Sequence, residues 1–120
     1  MDFDNWRERI IEELEELADR GFQRKHWNAG LPDKIHSFDD LVSRLYDDFD
    51  FKGFVEKVQE HSTEAVAGSA LQQFEARLSK YIDGLGFGVD DKKVIDDPEW
   101  ISISSDAVVI VGIVKGLKNW

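Results

Sequence analysis

Cysteine is missing from the 120-residue chain, which excludes a disulfide framework, a thiol nucleophile and any thiolate metal site. Histidine is scarce: His26, His36 and His61 are scattered and match no ligand spacing such as HExxH. No serine motif accompanies them, so catalytic residues, a cofactor and a bound metal are not expected, and the protein is read as no enzyme. Long apolar runs are missing as well. The longest, AVVIVGIV from Ala107 to Val114, is far short of the roughly 20 residues that span a bilayer. The first ten residues, MDFDNWRERI, are charged and amphipathic, without the apolar core of a signal peptide. A cytoplasmic protein is the expectation.

Positive charge is in short supply too. Asp and Glu number 25 against 15 Lys and Arg, for a formal charge of −10. Such a field repels nucleic acid, whose binding rests on basic residues neutralising phosphates. It repels anionic membrane surfaces as well, and steers the molecule toward a basic partner. The remaining composition is that of a globular protein: 42% hydrophobic and 33% charged residues, with four Trp and eight Phe. At this length the chain makes one domain, residues 1–120, with a single core.

Apolar spacing of three and four runs through Phe3, Trp6, Ile10, Leu14 and Leu17, and predicts a helix from Asp4 to Arg20 with Asp2 or Asp4 as cap and Gly21 as stop. Glu8, Glu12, Glu15 and Glu16 fall on its opposite face. Phe22 to Trp27 reads as a short helical turn, and NAGLPDKIH (Asn28 to His36) as a loop broken by Gly30 and Pro32. Ser37 then caps a helix from Phe38 to Asp48, with Asp40 in the third position of a capping box. A shorter helix near Phe51 to Glu60 follows. Ser62 or Thr63 caps the next, whose inward series is Ala67, Leu71, Phe74, Leu78 and Tyr81, and Gly84, Gly86 and Gly88 end it. GLGFGVDDKKVIDD reads as a connection. It is no phosphate loop, because GLGFG follows a helix and lacks the required spacing.

The final segment is ambiguous. Asp97-Pro98-Glu99 is a strong helix start, and Trp100, Ile103, Ala107, Ile110, Val114 and Leu117 keep helical spacing. Yet WISISS alternates as a strand does, and VVIVGIV is rich in residues that favour sheets. The expected fold is all-α, a bundle of four to five helices, with an α+β alternative carrying a C-terminal hairpin at about 100–114.

FQRKHW (Phe22 to Trp27), SFDDLVSRLYDDFDFKGFVE (Ser37 to Glu56) and DDPEW (Asp96 to Trp100) stand in this order before a last helix. In that order and spacing the chain resembles a family of small, mostly uncharacterised bacterial helical proteins. Some of these are encoded beside toxin genes and look like immunity proteins of contact-dependent inhibition or polymorphic toxin systems. The resemblance implies a protein that binds and neutralises a toxin domain. No functional residue carries over from it.

The residues that carry such a reading are five aspartates within SFDDLVSRLYDDFDF: Asp39, Asp40, Asp47, Asp48 and Asp50. Asp39 and Asp40 suit the positive end of a helix dipole, and Asp40 and Asp48 each stand four residues from Arg44. Asp47 and Asp48 sit at the negative end, so local stability does not account for them. A solvated helix face is the plain reading; docking on a basic protein surface is the functional one. Calcium binding is disfavoured, since the D-x-D-x-D-G pattern and its distal Glu are missing. Trp27, after the basic Arg24-Lys25-His26, is either loop packing or an interface anchor. The expected partner is a basic toxin domain whose active site the acidic surface occludes. The alternative is a regulatory helical adaptor, possibly homodimeric through the apolar run at 108–114, where Gly112 and Gly116 allow close helix approach.

Overall fold

Six side chains set helix starts in this molecule. A computed structural model describes residues 2–27, 36–61, 65–86 and 88–117. Within these, carboxylates or hydroxyls of Asp2, Asp19, Ser37, Asp50, Asp90 and Asp97 accept backbone N–H groups of Asn5, Phe22, Asp40, Gly53, Lys92 and Glu99 at 2.8–3.1 Å. Each cap satisfies a donor that the first turn leaves orphaned and is worth about 1 kcal/mol. Five of the six are aspartates, so part of the acidic excess is structural.

The helices described are α1 (Phe3–Ala18), α2 (Arg20–His26), α3 (Phe38–Val42), α4 (Phe51–His61), α5 (Ala65–Leu85), α6 (Asp91–Asp96) and α7 (Pro98–Lys115), with α3 running on into a π-helical turn, Ser43–Asp48. No strand occurs among the described residues, so the all-α expectation holds and the hairpin alternative does not. The Asp97 cap and Pro98 at the first position start α7 as the sequence indicates. Burial then overrides the β preference of its valines and isoleucines. Trp100, Ile103, Ala107, Ile110 and Val114 are all buried in the core.

Among the described residues there are seven α-helices where four or five were expected. The additional ones, α2 and α6, are seven and six residues long, too short to display an apolar period. The connection read at GLGFGVDDKKVIDD contains α6. Asp91 at its start reaches across to accept the Phe38 backbone N–H at 3.0 Å, fixing the entry of α3. Gly21 is not a stop but lies inside α2; Asp19 ends α1 and caps α2 at once. The Ser62 and Thr63 caps and the greater part of the 28–36 loop lie outside the described residues.

α7 is antiparallel to both its neighbours. Gln23, just beyond α1, accepts the Trp100 indole N–H near the start of α7, while Arg7 near the start of α1 donates to the Leu117 carbonyl beyond its end. Across the other flank Tyr81 donates to Asp97, and Arg77 one turn earlier holds Glu99, Ser102 and Asp106. Among the described residues no helix is long and apolar enough to cross a membrane.

Candidate docking cleft

Trp27, Phe38, Tyr81 and Trp100 form one aromatic cluster with ring centroids 5.3–6.4 Å apart. Edge-to-face pairs such as Phe38 on Trp100 add about 0.5–1.5 kcal/mol beyond area burial. Trp27 is 1% exposed and its indole N–H donates to Glu16 Oε2 at 3.0 Å. It is a core residue and is not presented to a partner, which corrects the anchor reading. The burial follows from Gln23. This fully buried side chain donates to the Glu16 and Leu17 carbonyls at 2.9 and 2.8 Å, folding α2 back over the end of α1.

Glu16, expected on the solvated face of α1, belongs to a polar seam. Arg44 donates to Glu13 at 2.9 Å and to Glu16 at 3.0 Å, and His36 Nδ1 lies 3.3 Å from Glu16. Arg44 thus serves α1, a role that its spacing from Asp40 and Asp48 does not announce. Burial pushes the Glu13 carboxyl above its ordinary range, and the Arg44 hydrogen bond offsets this only in part.

The π-helical turn decides where the acids after Arg44 go. Its wide hydrogen bond runs from the Phe49 N–H to the Arg44 carbonyl at 3.0 Å, and Leu45 inside it is buried. The extra residue that a π turn carries shifts the register of the side chains beyond it. As a result the five aspartates do not form one face. Asp39 and Asp47 come to one cleft, whereas Asp48 and Asp50 border a separate hollow beside Trp6 and Phe49. Asp50 also has a local role, since at φ 47° it reverses the chain and caps α4 through Gly53. Aspartate tolerates this left-handed conformation better than most residues.

The first cleft encloses about 350 Å³ between α3 with its π turn and the end of α5. Phe38, Val42 and Ile82 supply an apolar lining, and Asp39, Asp47 and Asp83 stand at it. All three carboxylates are exposed, and none is ion-paired among the described residues. Asp47 accepts only a long 3.4 Å contact from the Ser43 hydroxyl. α5 terminates here, at Gly86 with φ +73°, so the negative end of its dipole adds to the same field. Nearby, burial first and then the charges of Glu75 and Asp83 push the Tyr46 hydroxyl well above the ordinary tyrosine range; it donates to Glu75 at 3.0 Å.

Asp83 and Ile82 escaped the sequence reading because they lie on α5, some forty positions from Asp39. Only the packing of α5 beside α3 brings them together. The volume stands at the bottom of the roughly 300–1,000 Å³ typical of small-molecule pockets, a fit for one or two long side chains. His26 and His36 are brought together with ring centroids 5.8 Å apart, but among the described residues no group of three His, Asp or Glu could hold a metal. Comparison with protein-family models, curated proteins and solved structures gave no match.

Proposed function

We propose that this protein works by binding, and that its acidic cleft takes up a lysine or arginine side chain from the basic surface of a partner protein. One observation carries the reading: three carboxylates, with no cationic partner among the described residues, surround an apolar lining at a helix C-terminus. A long basic side chain matches both features, since its methylene stem covers apolar surface while its charge stays at the rim. The formal charge of −10 would speed such an encounter and make it salt-dependent. In its biological form this is an immunity-type protein, as the resemblance implies, covering the basic active site of a toxin domain. Asp39 and Asp47 are retained from the sequence reading as contact residues and Asp83 joins them. Asp40 and Asp48 extend the acidic surface to either side.

The test has two arms. Titration of the isotope-labelled protein with a lysine- and arginine-bearing peptide should move the amide signals of Ile82, Asp83 and Gly86, and the Asp39→Asn/Asp47→Asn/Asp83→Asn variant should lose that response. Shifts spread evenly over the acidic surface, or unchanged in the variant, would remove the cleft from the mechanism. Co-expression with a toxin domain encoded next to this gene addresses the biological role. Protection lost in the triple variant supports immunity, and protection that never occurs defeats it.

A further inference from the structure

Three large hydrophobic residues stand far out of the core: Val66 at 84% exposure, Val108 at 61% and Val109 at 64%. All belong to the α5–α7 side of the molecule. Because α5 and α7 run antiparallel, Val66 lies toward the end of α7, one turn before Ala70, which lines a shallow groove with Val109 and Ile113. From Trp100 to Val114 the only charged residue is Asp106, and Arg77 already neutralises it. In a chain with one residue in three charged, an uncharged outer stripe of Ile101, Ser105, Val108, Val109 and Gly112 needs a reason. Gly112 sharpens the question. An added Cβ there would meet nothing within 4 Å, so internal packing does not call for glycine, although glycine inside a helix destabilises it relative to alanine.

We infer that this face is a self-association surface, on which α7 of a second copy crosses antiparallel over α7 of the first. This does not rest on the acidic cleft. A second copy is favoured over other occupants for reasons of charge. Two molecules of this net charge repel over most of their surfaces, and the α7 stripe is a place where they can meet without opposing carboxylates. Antiparallel crossing sets opposite helix dipoles side by side. A two-fold axis near the helix midpoint places Glu99 in the first turn opposite Lys115 in the last. It also puts Val109 across from Ser105 and Gly112 across from Ser102, large against small. Eighteen residues make a helix about 27 Å long, and with α5 alongside the footprint is roughly 500 Å² per copy, near the lower bound of about 1,000 Å² in total for a specific interface. The dimer is therefore weak and concentration-dependent.

Sedimentation equilibrium over a wide concentration range measures it directly. The wild type should pass from monomer to dimer, and Val109→Arg should remain monomeric with an unchanged unfolding midpoint. Gly112→Ala separates the two roles of that residue: it should raise the unfolding midpoint while weakening association several-fold. The absence of cysteine allows a geometric check. Val108→Cys should cross-link to its own copy under mild oxidation, whereas Glu60→Cys on α4 should not. A wild type that is monomeric throughout, or association indifferent to Val109→Arg and Gly112→Ala, overturns the assignment.

Discussion

The α3 segment with its π turn and the α7 helix meet solvent in opposite ways. The first carries a charge at nearly half its positions, and those charges are sorted by tertiary structure. Arg44 turns inward to Glu13 and Glu16, Asp39 and Asp47 turn to the cleft, and the Asp50 just beyond caps α4. The second has apolar side chains on both its buried and its exposed sides. Charged positions on the surface are therefore no guide to which residues hold the fold, and apolar ones are no guide to which are buried.

Substitution separates the two regions. Arg44→Ala should be the most damaging, because it leaves Glu13, 8% exposed, and the half-buried Glu16 without their cation. Breaking such a pair costs about 3 kcal/mol, read as a lower urea midpoint. A negligible change would mean that the seam is solvated. Asp50→Ala comes next, at about 2 kcal/mol, combining the lost cap with the strain of alanine at positive φ. Asp50→Gly, which relieves the backbone, should cost only a few tenths. Equal losses in the two variants would place the effect elsewhere.

Glu13→Gln probes the seam through pH. Burial raises the Glu13 carboxyl in the folded state, so the folded protein takes up this proton more readily than the unfolded chain does. The resulting stability is fully present below the ordinary carboxylate range and is lost as pH rises through the raised folded value. The wild type should therefore gain stability relative to Glu13→Gln as pH falls through that window. A difference that does not vary with pH, or varies in the opposite sense, contradicts a carboxyl raised by burial. The smallest effect belongs to the outer face of α7. Val109→Arg should change monomer stability by no more than about 0.5 kcal/mol, as for surface substitutions generally. A larger loss at a concentration where only monomer is present would place Val109 in the core.

Long helices were legible because their apolar stripes repeat often enough to be seen. Ile10, Leu14, Leu71, Leu78, Trp100 and Ile103 are buried where spacing puts them, and Asp2, Ser37 and Asp97 cap where the sequence indicates. Gln23 was illegible: a glutamine amid FQRKHW reads as surface, and only the fold of α2 against α1 gives its amide two carbonyls and an indole. Trp27 follows from the same fold. Half of the cleft was visible in Asp39 and Asp47, and half was hidden on α5.

By itself the sequence determined the all-helical class, the starts of the long helices and the acidic field. These depend on local capping, on short-range periodicity and on composition, and none requires distant residues to meet. Tertiary structure alone decided which acids are paired inside and which remain unpaired in a cleft. Each of those outcomes depends on a group from another helix, about thirty or more residues away, and on the π turn that re-aims the side chains between them.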